Sequence, residues 1–320
     1  MGDTMTDIIT LGELLIDFTA CSKSSQGQRL FEQNPGGAPA NVAVAVARLG
    51  GKSSFIGKVG NDMHGKFLAE TLEKNGVDCE ALLFDDNHFT TLAFVDIKEN
   101  GEREFSFARK HGADKMLLVE DIPSGKLKDC RIFHFGSVSL TDEPSRSATL
   151  FAAEKAKSEG VCVSYDPNYR ASLWKNESEA KMTMRSALKF ADLVKLSDEE
   201  TNLLTGESDF RNAAEKLIRN GAQIAVITLG EDGAFVCTKD GGIKTDAFRA
   251  DAVDCTGAGD SFWGAFLFKI AQSGKKPEDL TLEELGNFAT FANAAACFCV
   301  QHRGAIPSLP TVGDIEKILA

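Results

Sequence analysis

A recurring rhythm of short apolar runs and amphipathic helical stretches constrains this chain more than any other feature. Runs at 8–16, 53–59, 131–135, 161–165, 193–196 and 224–229 read as strands. Segments at 39–49, 64–74, 145–159, 178–190, 210–220 and 262–270 read as helices. Strands that are apolar on both sides belong to sheets covered on both faces, so the pattern predicts an α/β fold with a mostly parallel sheet between helical layers. Two stretches, 19–34 and 90–107, break the rhythm with hydrophobic/polar alternation, and Asn100-Gly101 between alternating segments is a hairpin signal. These stretches are expected to form a small β lid over one edge of the main sheet. No repeat, low-complexity tract or long linker divides residues 1–320, which are expected to form one domain including the lid.

Composition narrows the function. Thirty-five Lys+Arg against 47 Asp+Glu leave a net charge of -12, so no positive field exists for nucleic acid and any phosphate must be held locally. No apolar run approaches the ~20 residues of a membrane span. Eight scattered cysteines without a Cys-x-x-Cys pattern suit reduced thiols, and a cytoplasmic protein is expected. Met1-Gly2-Asp3-Thr4-Met5-Thr6 fits the loose myristoylation pattern, with an acidic start ahead of a core strand as the plainer reading.

The sharpest chemical signal is Asp254-Cys255-Thr256-Gly257-Ala258-Gly259-Asp260-Ser261-Phe262, which opens an apolar helix. Two glycines flanking Ala258 leave backbone N–H groups uncovered at a helix N-terminus, where the dipole favours an anion. A carboxylate there, Asp260, can accept a proton from a hydroxyl attacking phosphorus; the alternative is that Asp260 merely caps the helix. Neither common nucleotide fingerprint fits: a dinucleotide-binding motif needs Gly at 262, where Phe262 stands, and a P-loop around Gly51-Lys52-Ser53 needs Gly at 46, where Val46 stands. A second site is Asn34-Pro35-Gly36-Gly37-Ala38-Pro39-Ala40-Asn41, where paired glycines before a helix permit close approach to a ligand and Asn41 offers both donor and acceptor. Asp17, expected at the end of the first strand, can accept from two sugar hydroxyls. As structure alone, Gly36-Gly37 is a turn and Asn41 a first-turn helix residue.

Residues 36–61 with Asp62, and the run Asp254–Asp260 about 220 residues later, are similar to the two signatures of the PfkB, or ribokinase-like, sugar kinases. The resemblance covers essentially the whole chain and implies a ribokinase-like three-layer α/β/α sandwich whose β lid closes over the sugar and often forms a homodimer. It implies Asp260 as catalytic base, with the backbone of Gly257, Ala258 and Gly259 as anion hole for the γ-phosphoryl group of ATP. Asp17, Gly36, Gly37 and Asn41 would bind the sugar. Thr228, Gly230 and Gly233 resemble the family's nucleotide-side turn, and Asn293 an adenine-pocket position. Lys195 precedes Ser197-Asp198-Glu199-Glu200, which resembles the Asn-x-x-Glu motif linked to Mg²⁺ and phosphate, with Ser197 in place of Asn and Glu200 as the carboxylate, indirect to the metal. Asp254, Thr256, Gly304 and Ser308 fall where relatives bind a monovalent cation such as K⁺.

The stretch from Gly101 to Arg109 and the strand end Asp166-Pro167-Asn168-Tyr169-Arg170 resemble the fructokinase branch. Asp166, Asn168 and Arg170 would then face the crevice beyond the carboxyl ends of the strands. Arg109 or Arg170 could instead meet a substrate carboxylate. The expected activity is transfer of phosphate to the primary hydroxyl of fructose. Alternatives are 2-keto-3-deoxygluconate or ribose as acceptor, or a non-catalytic sensor of sugar or nucleotide. The expected ligands are small molecules, with no nucleic acid or membrane partner.

Overall fold

The computed structural model describes residues 5–97 and 103–320. The Asn100-Gly101 turn and the first four residues of the myristoylation pattern lie outside them. Strand β1 (Thr6–Leu11) runs through the main sheet, and the chain then crosses at Gly12-Glu13-Leu14 into a second sheet as β2 (Leu15–Lys23) and β3 (Arg29–Gly36). Helix α1 (Ala38–Arg48), β4 (Ser53–Gly60), α2 (Met63–Lys74) and β5 (Leu82–Asp85) build one flank of the main sheet. Strands β6 (Leu92–Ile97) and β7 (Arg103–Ala108) return to the small sheet. After α3 (Ser124–Leu127) the chain alternates β8 (Cys130–Gly136), α4 (Ser145–Ser158), β9 (Cys162–Asp166), α5 (Glu177–Ala187) and β10 (Leu193–Ser197). It continues through α6 (Asp198–Thr205), α7 (Phe210–Arg219) and β11 (Ile224–Thr228) to the pair β12 (Ala234–Thr238) and β13 (Gly241–Thr245). Helices α8 (Ala258–Ser273), α9 (Leu282–Val300) and α10 (Val312–Leu319) close the chain.

The main sheet has the order β13-β12-β11-β10-β9-β8-β1-β4-β5, parallel throughout except that β12 runs antiparallel to both its neighbours, β11 and β13, at one edge. Its strands are apolar on both faces, as Ile8 and Ile9 illustrate. Ile8 belongs to the core that holds Val42 of α1 and Phe262, Trp263 and Phe266 of α8, whereas Ile9 belongs to the core that holds Phe133, Ala152 of α4 and Met184 of α5. Consecutive residues feed two separate cores, which gives the three layers expected from the sequence.

The small sheet, β3-β2-β6-β7, is also as expected, but it begins four residues earlier than the alternation suggested. The single strand read at 8–16 is two strands in two sheets. Asp17 therefore sits within β2 of the small sheet, in register with Asn34 and Ala93, and not at the end of the first core strand. Apolar residues on both sides of the joint are buried alike by the two sheets: Leu11, Leu14 and Ile16 are all at most 1% exposed.

Candidate active site

Asp17 and Asp260 meet in a cavity of about 470 Å³ whose wall includes Glu13, Asn41, Arg170, Lys195, Gly257 and Gly259. Gly37, Asn168, Cys255 and Thr256 line it too, and Phe107 of β7 contributes the small sheet's side. The wall is thus built from the start of α8 and the loop before it, the start of α1, the segments after β8 and β9, Lys195 of β10, and one face of the small sheet. Ligands collect at the carboxyl ends of parallel strands because helix N-termini and loops converge there.

Each paired glycine of the first motif has a separate steric reason. A Cβ on Gly36 would come within 2.5 Å of the Asp17 carboxylate, so the glycine makes room for that side chain. Gly37 has φ 115°, and a Cβ there would come within 2.3 Å of the Glu13 carbonyl oxygen. The turn delivers α1, and Asn41 in its first turn donates from Nδ2 to Asp260 Oδ2 at 2.7 Å. The two motifs, far apart in sequence, touch through this bond.

Gly257 caps α8 in the left-handed conformation, φ 82°. Ser261 donates its amide to Gly257 O at 2.7 Å and Ala258 to Cys255 O at 3.3 Å, so the Ala258 amide expected in the anion hole is already engaged, while the amides of Gly257, Gly259 and Asp260 meet no protein acceptor among the described residues. Those three amides are the donors left for an anion. Lys195 supplies a charge opposite them: a Cβ on Gly259 would lie 3.4 Å from its Nζ. The ammonium is held by Asp166 Oδ2 at 2.6 Å. Burial draws the Lys195 pKa down, but the carboxylates of Asp166 and Glu200 outweigh it and leave the group raised and charged.

Burial pushes the Asp260 carboxyl up to about 6; Asn41's hydrogen bond holds it down, Asp166 adds to the rise, and Lys195 and Arg170 oppose it. Loss of water pushes Asp17 up to about 7 against Arg170, with Asp254 and Asp260 adding to the rise. A weakly basic carboxylate near neutrality suits a proton acceptor.

The other expected residues divide. Asp166 lies behind Lys195, and Asn168, at φ 46°, and exposed Arg170 reach the cavity. Arg109 does not line it. The residue is 4% exposed, and its guanidinium donates to Asp114 at 2.7 Å, Thr141 Oγ1 at 2.7 Å and the Val138 carbonyl at 3.0 Å, so it ties the wall together from behind. Glu200 also stays outside. Its oxygens accept from the Tyr169 amide at 2.6 Å and the Ser197 amide at 2.8 Å, capping α6, and Ser197 donates its hydroxyl to the same carboxylate at 3.1 Å. Ser in place of Asn at position 197 is therefore used as a helix cap.

Thr228, Gly230 and Gly233 lie at the end of β11 and the turn into β12, one strand over from Lys195. Asn293 donates to Thr245 Oγ1 and the Asp246 carbonyl, both at 3.1 Å, joining α9 to the end of β13. Asp254 accepts the amides of Thr256 at 2.8 Å and Gly304 at 3.1 Å, and Ser308 approaches Cys299 Sγ at 3.0 Å. That loop gathers the four residues expected at a monovalent-cation site. Among the described residues no three His, Cys, Asp or Glu side chains form a metal cluster, and no helix is long and apolar enough to cross a membrane. Glu13 is the cavity residue that sequence reasoning missed; a carboxylate inside an apolar run was the available signal.

What such a site can do is move a phosphoryl group onto a small polar molecule: three free amides and a buried lysine for the phosphate, a carboxylate beside them for the hydroxyl. The comparisons agree. Residues 5–312 match the family model described as pfkB family carbohydrate kinase. The chain is 42% identical over 318 residues to a probable fructokinase-5 of Arabidopsis thaliana, covering 98% of this chain and 97% of the relative. It superposes with a TM-score of 0.91 on a fructokinase with bound ATP from Xylella fastidiosa, at 34% identity and 98% coverage of both chains. A double-mutant fructokinase from Vibrio cholerae O395, in a fructose, ADP and potassium ion bound form, gives 0.90 at 35% identity and full coverage of both chains. The chain belongs to the pfkB family of carbohydrate kinases and is an ATP-dependent enzyme of that class.

Proposed function

We propose that this kinase transfers the γ-phosphoryl group of ATP to the primary hydroxyl of D-fructose, breaking the bond to the β-phosphate and giving fructose 6-phosphate and ADP, with Asp260 as the base. The observation that carries the reading is Asp260 itself: buried, bonded to Asn41, and next to the free amides at the start of α8. Asp17, Asn41 and Arg170 orient the sugar through its hydroxyls, with Gly36 and Gly37 making room. Asp260 accepts the proton as the hydroxyl oxygen attacks in line, while Lys195 and the amides of Gly257, Gly259 and Asp260 balance charge on the moving phosphoryl group. The turn with Thr228, Gly230 and Gly233 borders the nucleotide, with Asn293 holding that wall.

Mg²⁺, when bound with ATP, would neutralise phosphate charge; Glu200 fits only an indirect place, since both its oxygens are already engaged. Asp254, Thr256, Gly304 and Ser308 fit K⁺. The buried Asp254 carboxylate gathers that loop around oxygen donors, which is what a hard cation needs.

Measuring kcat/KM with Mg²⁺-ATP and K⁺ for fructose, 2-keto-3-deoxygluconate, ribose and adenosine tests the acceptor. Fructose is expected to lead by as much as ~10⁴, because a site that pairs hydroxyls rejects molecules that lack them. Preference for the acid sugar would overturn fructose and assign Arg170 to its carboxylate. No turnover on any of the four would overturn the catalytic reading.

The face of the small sheet opposite Asp17 carries Phe18 stacked on Phe94 at 5.5 Å, with Phe31 edge-on at 6.0 Å. Phe31 and Phe94 are each 39% exposed. We propose that two copies pair through this face. Sedimentation should give a dimer for the native chain and a monomer for Phe94→Asp; a monomeric native chain overturns the pairing.

A further inference from the structure

Glu13 belongs to neither glycine motif, yet it stands where the chain leaves the main sheet for the small one, in the wall of the catalytic cavity. The residue is 4% exposed. Its Oε1 accepts the Ala38 amide at 2.9 Å. Ala38 is the first residue of α1, and its amide is one of the donors a helix leaves unsatisfied at its start. Gly37 at the N-cap has no side chain, the tight approach of Gly37 to the Glu13 carbonyl forbids one, and an N-cap side chain would in any case reach the second or third amide and not the first. Glu13 therefore satisfies, from another element, the first free amide of α1.

The consequence reaches the reacting atoms in two steps. The first turn of α1 carries Asn41, and Asn41 holds the Asp260 carboxylate. Glu13 Oε2 and Asn41 Oδ1 are both buried without a protein partner among the described residues. Burial pushes the Glu13 carboxyl up to about 7, against the amide bonds and Arg109 that hold it down, with Asp114 adding to the rise. A group kept at such cost for packing alone would be better replaced by an apolar side chain of the same size.

We propose that Glu13 is a positioning residue for phosphoryl transfer: it pins the start of α1 to the joint between the two sheets and so sets Asn41 against Asp260. The inference rests on Asp260 being the base, and the wild-type enzyme tests that first. If wild-type phosphorylates no sugar, the base reading fails before any Glu13 variant is compared.

The experiment compares Glu13→Ala, Glu13→Gln, Asn41→Ala and the Glu13→Ala/Asn41→Ala pair by steady-state kinetics across pH, with thermal unfolding alongside. Glu13→Ala should lower kcat by ~10–10² while KM for ATP stays within about twofold, the loss expected of a small misplacement. It should also move the acid limb of kcat upward from about 6, because a loosened Asn41 no longer holds the Asp260 carboxylate down. The other charged groups acting on Asp260, namely Asp166, Lys195 and Arg170, remain in place in every variant. Glu13→Gln retains an acceptor for the Ala38 amide and should restore both the rate and the limb. Adding Glu13→Ala to Asn41→Ala should cost little further, since both act on one bond.

A wild-type kcat and limb in Glu13→Ala overturns the proposal. So does a Gln variant as impaired as the Ala variant, or full additivity of the pair. Should Glu13→Ala fail to fold, Glu13→Met keeps the volume without the acceptor and is held to the same outcomes.

Discussion

Asp260→Asn is expected to lower kcat with ATP and fructose by about 10²–10⁴, the range for loss of a positioned general base. Asparagine has nearly the same shape and can still meet Asn41, so KM for fructose should move far less than kcat. That split identifies an interaction made in the transition state and not in the ground state. The pH profile gives a second readout. In the proposed mechanism the active form is the carboxylate, and burial raises its pKa to about 6. Wild-type kcat should therefore fall as pH drops below that value, because the proton that arrives occupies the base. In Asp260→Asn the limb should vanish. Asp17, at about 7, titrates close by but is proposed to bind the sugar, so its limb should follow KM. A variant with near wild-type kcat would remove Asp260 from the chemistry.

Lys195→Met carries the next largest effect. The ammonium lies against Gly259 and faces the helix start where phosphate is expected, so its loss should lower kcat by about 10²–10³, comparable to removing a donor from an oxyanion hole. It should also destabilise the fold. Lys195 and Asp166 are 5% and 3% exposed, and removing one partner of a buried pair costs about 3–5 kcal/mol. The two effects separate in Lys195→Met/Asp166→Asn, which discharges the orphaned carboxylate: denaturant melts should recover while kcat stays low. Lys195→Arg should not rescue the rate, because a planar fork does not fit the gap that a compact ammonium fills. If the double variant recovers its rate together with its stability, Lys195 is only structural.

Legibility of the fold followed the local physics. Parallel strands buried on both faces leave continuous apolar runs, so β4, β8, β9, β10 and β11 were visible within a residue or two of their ends. The short edge strand β5 and the hairpin β12–β13 were not read as strands. Their signals are weak: β5 has only four residues, and β13 begins Gly241-Gly242. The joint at Gly12-Glu13-Leu14 was invisible for the opposite reason. Both sheets bury the residues around it, so hydrophobicity does not change where the chain switches layers.

At the site, residues tied to backbone geometry were the readable ones. Gly36, Gly37 and Gly257 each answer a close approach or a left-handed angle that leaves its mark in the sequence itself. Charged side chains were harder, because an arginine carries no local record of its partner. Arg109 and Arg170 looked alike along the chain, yet Asp114, Thr141 and Val138 claim the first, and only the second opens on the cavity.

By itself the sequence determined the layered α/β architecture, the two glycine turns and the base candidate Asp260, all set by neighbours a few residues away. Only the tertiary structure decided that Asn41 grips Asp260, that Lys195 faces Gly259, and that Glu13 caps a helix it does not belong to. Those contacts join residues 219, 64 and 25 positions apart. Pairings at that range are chosen by how whole layers pack, and no local pattern encodes them.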